Sequence, residues 1–144
     1  MPTKENGKFQ VSGEGGDLTV VFSSTLANID RVDKETKTFL TRKGLEAYTF
    51  AICLGLREAL TNAIKHGHKF DFQKEVHFSL RLRERGLIME IEDQGKGFDW
   101  RSELSRQPGL TSEHGRGLAI IRQFFSEYRF NEKGNKIVMI KHMA

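Results

Sequence analysis

Between residues 75 and 83 the side chains alternate without a break. Val76, Phe78, Leu80 and Leu82 stand against Glu75, His77, Ser79, Arg81 and Arg83. Successive side chains of a strand point to opposite faces, so this pattern demands a sheet with one covered and one wet face. Arg85-Gly86 turns into a second strand over 87–92, and the two are expected to form an antiparallel hairpin. What covers the apolar face is written just upstream. From about Glu46 to His66, Ile52, Leu56, Ala59, Leu60, Ala63 and Ile64 recur at three- and four-residue spacing, and Gly67 stops the pattern.

The remaining elements follow the same two periods. Leu18–Ser24 reads as a first strand, and residues 28–43 as a helix through Ile29, Val32, Phe39 and Leu40, ended by Gly44. A short helix is expected near 115–126, with Leu118, Ile121, Phe124 and Phe125 at helical spacing. Two strands close the chain, near 127–131 and 136–142, joined by Lys133-Gly134-Asn135. Residues 1–17 read as a flexible N-terminus, and 18–144 as one domain with a lid at about 98–114 around Pro108-Gly109. Hairpins with helices between them predict an α/β (α+β) two-layer sandwich, with a mixed, mostly antiparallel sheet covered on one face by helices.

Composition excludes several classes. The 144 residues carry a net charge of +4 and a single cysteine, Cys53, so no internal disulfide is possible and a reducing compartment is expected. Cys53 lies in an apolar helical stretch and reads as a small buried hydrophobe. No apolar run is long enough to span a bilayer, and MPTKENGKFQ has no apolar core of a signal peptide. A cytoplasmic protein without membrane contact is expected. The basic cluster RLRER at 81–85 lies in an alternating strand and reads as a solvated face rather than a nucleic-acid surface.

Three segments could carry chemistry. Glu58 and Asn62 are four apart on the main helix, one turn from each other, and Lys65 and His66 continue that polar row. Asp93-Gln94-Gly95-Lys96-Gly97 follows a strand directly, so a carboxylate can accept from an exocyclic amine while the glycines let backbone approach a ligand. Gly115-Arg116-Gly117-Leu118 opens a helix, where free N–H groups favour phosphate. Each has a plain alternative: a polar helix face, an Asp-x-Gly turn, and a helix entry that needs glycine.

Their order is the specific signal. A helix with Glu-x-x-x-Asn, a strand ending Asp-x-Gly-x-Gly, a long polar lid and Gly-x-Gly-Leu at a helix start resembles the GHKL nucleotide-binding superfamily, with its Bergerat-type ATP-binding fold. Within it the chain is most similar to the anti-sigma-factor serine/threonine kinases, through Arg57-Glu58-Ala59-x-x-Asn62-Ala63-x-x-His66-Gly67 and the closing segment 134–141. At this length no phosphoacceptor helix pair of histidine-kinase type is expected.

The resemblance implies ATP and Mg²⁺ as ligands. Asn62 is then expected to hold the Mg²⁺. Asp93 would bind the adenine amino group, with Gly95 and Gly97 beside the base. Gly115, Arg116 and Gly117 would meet the phosphates, with Leu118 among the ATP-binding residues, and Glu58 would be the general base toward a serine hydroxyl. His66 would touch phosphate or cap the main helix, and Trp100 would cover the nucleotide or pack on the core. The implied partners are a sigma factor, a STAS-domain antagonist of the anti-sigma factor, and a second copy of the chain through the first strand and helix. Direct nucleic-acid binding is not implied. Two other functions fit the same residues: an ATP-binding regulatory module without transfer, and a histidine-kinase-like domain acting in trans. Two departures stand out: Val138, aligned where the family often has a threonine near the adenine, and Gly134-Asn135, where the family's turn often reads Gly-Thr.

Overall fold

The computed structural model describes residues 7–13, 16–68, 71–84, 86–95 and 113–143, with backbone alone at 66–67 and 113–118. The elements run β1 (Phe9–Ser12), β2 (Leu18–Ser23), α1 (Leu26–Arg42), a 3₁₀ turn (Glu46–Tyr48), α2 (Thr49–Asn62) and a π-helical turn (Ala63–Gly67). There follow β3 (Glu75–Arg83), β4 (Gly86–Asp93), α3 (Glu113–Phe124), β5 (Glu127–Phe130) and β6 (Lys136–His142). The strands form one sheet in the order β1-β2-β3-β4-β6-β5. Every pairing among the described residues is antiparallel, so the expected parallel share is absent there.

The alternation of β3 does what its pattern demands. Val76, Phe78 and Leu80 are buried, in register with Asp93, Ile91 and Met89 of β4 and with Phe22, Val20 and Leu18 of β2. One core contains the apolar residues among these together with Ile29, Val32 and Leu40 of α1, Ile52, Leu56 and Leu60 of α2, and Ile121 of α3. Each such side chain is worth roughly 1.5–3 kcal/mol when fully buried. The other sheet face keeps the charges. Arg81 pairs with Glu90 at 2.7 Å, and Arg83 pairs with Asp17 at 2.9 Å. Two of the basic residues of 81–85 are thus spent on neighbouring acids, and Arg85 lies outside the described residues.

Helix boundaries follow local chemistry. Thr25 caps α1 by accepting the Asn28 amide at 3.2 Å. Gly44 ends it at φ +71°, where the Leu45 amide reaches back to the Leu40 carbonyl at 2.8 Å. Residues 9–12, expected within a loose terminus, instead form an edge strand on β2. Phe9 lies 6.1 Å from Phe22, and the Arg31 guanidinium sits over the Phe9 ring. That packing is supplied by α1 and β2, and a four-residue segment does not advertise it.

Cys53 is buried as expected. Burial first, and then the Asp33 carboxylate, push its thiol up to about 12, which leaves it neutral and unreactive. Asp33 is itself buried and bound by Lys37 at 2.8 Å and Arg57 at 3.4 Å, which ties α1 to α2.

Gly55 is where α2 admits the segment after α3. A Cβ there would clash with the ring of Phe125, which is itself buried. Gly55→Ala is therefore expected to destabilise the fold by roughly 1–3 kcal/mol through overpacking. Urea denaturation measures it, and an unchanged midpoint would contradict this close approach.

Candidate functional site

The main helix does not continue regularly to His66. After Asn62 it widens into a π turn, and the His68 amide donates to the Ala63 carbonyl, five residues back, at 2.8 Å. Such single wide turns are frequent at functional sites. Ile52, Leu56, Leu60 and Ile64 are fully buried on the side facing the sheet. Glu58 and Asn62 follow residues 56 and 60 by two positions, about 200° of rotation, so they lie on the far side of the helix. Both are half-buried. Among the described residues neither side chain is held in a hydrogen bond or ion pair, whereas Arg57 beside them is bound to Asp30 at 2.9 Å.

At the end of β4, Asp93 is fixed from several directions. Its amide donates to the Asn135 carbonyl at 2.8 Å, and its carbonyl accepts from Asn135 Nδ2 at 2.8 Å. Its own Oδ1 accepts from the Gly95 amide at 2.7 Å, closing a tight Asx turn. Oδ2 makes no hydrogen bond among the described residues. Asn131 Oδ1 in turn accepts from the amides of Gly134, Asn135 and Lys136, which holds the β5–β6 turn against β4.

The two halves of the site meet at His68. Its ring is fully buried, and Nε2 accepts the Gln94 amide at 2.7 Å. The end of α2 and the end of β4 are therefore joined by a direct hydrogen bond. His68 did not stand out in the sequence, and Asn135 did so only as a departure in the closing turn, not as a neighbour of Asp93. For His68 the available signal was a second histidine just past the Gly67 stop. For Asn135 it was the antiparallel count that pairs Glu92 with Lys136.

The same register corrects the expectation for Val138. It pairs with Glu90, while Asp93 lies three residues further along β4 and on the other face of the sheet. Val138 is thus turned away from Asp93 and belongs to no pocket around it. Asn135 occupies the place next to Asp93.

The helix expected from Gly115 starts two residues earlier, at Glu113. Gly115 and Arg116 then fall among the first four residues, whose amides have no partner in the helix, while Gly117 and Leu118 lie beyond them. α3 packs against α2. The side chains of His66, Arg116 and Leu118 lie outside the described residues, as do Gly97, Trp100 and the lid from 98 to 112. Among the described residues no cluster of three or more His, Cys, Asp or Glu side chains could hold a metal. A single carboxamide such as Asn62 still suits Mg²⁺, which keeps several waters and takes its other ligands from phosphate. A cavity of about 370 Å³ lies at the opposite end of the sheet, between Asp17, Leu18, Phe39 and Lys43. Asp17 there is already paired with Arg83, and none of Glu58, Asn62, His68, Asp93 and Asn135 lines it.

Residues 22–141 match the histidine kinase-like ATPase domain family. The chain belongs to this family. Similar proteins include the Anti-sigma F factor of Clostridium perfringens, 34% identical over 94 residues, and that of Bacillus subtilis, 32% identical over 95. The Anti-sigma F factor of Anoxybacillus flavithermus is 33% identical over 95 residues. Each match spans 60% of this chain and 64–66% of the relative, just under two thirds of its length. No helix among the described residues is long and apolar enough to cross a membrane.

Burial, helped by the charge of Glu92 and opposed by the Gly95 hydrogen bond, pushes the Asp93 carboxyl up to about 6. Between the unfolded value of 3.8 and about 6 the folded chain holds a proton that the unfolded chain has lost. Asp93 therefore lowers stability as pH rises through that window, by an amount on the order of 1–3 kcal/mol. Carbon-13 NMR of the Asp93 carboxyl should report a midpoint near 6, with the Gly95 amide following it. A midpoint below 4.5, about where exposed aspartates titrate, would contradict the burial described here.

Proposed function

We propose that this chain is an ATP-dependent serine/threonine protein kinase and anti-sigma factor. It phosphorylates a STAS-domain antagonist and, in the complementary state, sequesters a sigma factor. The observation that carries the reading is Glu58, an uncommitted carboxylate one helical turn before Asn62, on the face of α2 turned away from the core. The names of the relatives, Anti-sigma F factor, support the sigma-factor side.

In this reading Asp93 Oδ2 accepts from the amino group of adenine while Oδ1 stays bound to Gly95. Gly97 lies beneath the base. Gly115, Arg116 and Gly117 meet the phosphates, Leu118 belongs to the same ATP-binding segment, and His66 adds a contact from the end of the main helix. Asn62 would hold Mg²⁺, which neutralises charge on the phosphates. Glu58 removes the proton from the antagonist's serine as its oxygen forms a bond to the γ-phosphorus. The bond to the β–γ bridging oxygen breaks and ADP leaves. The product is an acid-stable phosphoester. The protein acts in the cytoplasm as a homodimer.

Asp93 must be ionised to accept from the amine at Oδ2, so ATP affinity is expected to fall as pH falls through about 6. Asp93→Asn loses a charge-assisted hydrogen bond and should weaken ATP by about 10–100-fold. Isothermal titration across this pH range measures both, and unchanged affinity in the variant would remove Asp93 from the base site.

Transfer is tested with the chain, Mg-ATP and STAS-domain proteins. Glu58→Gln should keep ATP affinity and lower transfer by about 10²–10⁴-fold. Asn62→Ala should abolish Mg²⁺-dependent binding. ATP binding without transfer to any antagonist would make the chain a regulatory binding module. An acid-labile product would make it a histidine-kinase-like domain instead.

A further inference from the structure

We propose that His68 is a positioning residue for the nucleotide site, its neutral Nε2 latching the Asp93–Gly95 turn so that a proton on that nitrogen releases the turn and weakens ATP binding. This rests on the reading of Asp93 as the residue that meets the base.

The geometry fixes the tautomer. The Gln94 amide can only donate, so at 2.7 Å the Nε2 atom must present its lone pair, and the ring hydrogen sits on Nδ1. Nδ1 is buried and has no hydrogen-bond partner among the described residues. The ring thus keeps its accepting bond while leaving a donor bare, the reverse of a histidine satisfied on both sides. The π turn brings it there, because its extra residue carries His68 to the end of β4.

Gln94 is held at both ends. Its amide is on His68, and its Oε1 accepts from the Glu75 amide at 2.8 Å. Gln94 is also the middle residue of the turn that Asp93 Oδ1 closes on the Gly95 amide. The next proton can enter the ring only at Nε2, where it would face the Gln94 N–H, so that bond must break. The protonated nitrogen would then have Asp93 Oδ1 as its nearest anion, now 3.9 Å away and already accepting from Gly95. Both hydrogen bonds of the turn are lost or contested by one proton. The charged groups facing the ring, among the described residues, are Asp93 from β4 and Asp71 and Lys74 from the following turn. Burial first, and then Lys74, hold the imidazole below its usual value against the pull of Asp71, so it is neutral near pH 7.

The test uses the full chain and two variants. His68→Gln places a carbonyl oxygen within reach of the Gln94 amide and does not titrate, while His68→Phe offers no acceptor. ATP dissociation constants are measured from about pH 8 to about pH 5, with thermal melting to confirm folding and nitrogen-15 spectra of the Gln94 amide. At about pH 8, His68→Gln should bind within about threefold of the parent, and His68→Phe about tenfold or more weakly. Towards low pH the parent should lose affinity with two protons and His68→Gln with one, the remaining proton being that of Asp93. The Gln94 amide should shift with the His68 titration in the parent only. Superimposable pH profiles for the parent and His68→Gln, or full affinity in a folded His68→Phe, would overturn the latch alone. A parent chain that binds no ATP even at about pH 8 overturns the reading of the site, and the coupling with it.

Discussion

The roll of α2 about its own axis sets everything at the site. Ile52, Leu56, Leu60 and Ile64 are all fully excluded from water, in one core with Phe78, Met89 and Ile91 of the sheet. Four such side chains contribute an amount comparable to the whole net stability of a domain this size, so no other roll of the helix can compete. That burial leaves Glu58 and Asn62 on the far side. Arg57 adds a second restraint by reaching Asp30 and Asp33 on α1. The polar residues of α2 are therefore placed by apolar ones, and the core positions the chemistry without taking part in it.

The end of β4 is the second fixed point, built from backbone rather than burial. Asp93 exchanges hydrogen bonds with Asn135 on one side and closes its own turn on Gly95 on the other. Its carboxyl is caught between burial, which favours the proton, and the Gly95 amide, which favours the charge. A carboxylate kept near neutrality's edge in this way responds strongly to an arriving hydrogen-bond donor, because the donor supplies what burial removed. The His68–Gln94 bond then makes the two fixed points one unit.

Much of this was legible in the sequence because it rests on local periodicity. The alternation of 75–83, the apolar stripe of α2 and the stop at Gly44 each reflect a single element's own geometry. So does the Asp93-x-Gly95 turn. What escaped depends on relations between elements. β1 is a strand because β2 and Arg31 receive Phe9, not because FQVS is a strong strand former. Val138, aligned near the adenine, lies on the opposite face from Asp93 because an odd number of positions along an antiparallel ladder reverses the face a side chain meets. The π turn has no local signature at all, so the helix row that placed His66 beside Asn62 gave no hint that His68 would be the buried ring.

The proposed nucleotide site draws on the end of α2, the end of β4 and the start of α3. The most direct measurement is a titration of nitrogen-15-labelled chain with Mg-ATP, followed at the backbone amides. The largest shifts are expected at Asn62, Asp93, Gln94, Gly95 and Gly115, with those around Asp17 and Lys43 unmoved. Shifts concentrated instead around Asp17, Phe39 and Lys43, with Asp93 and Gly95 silent, would contradict it.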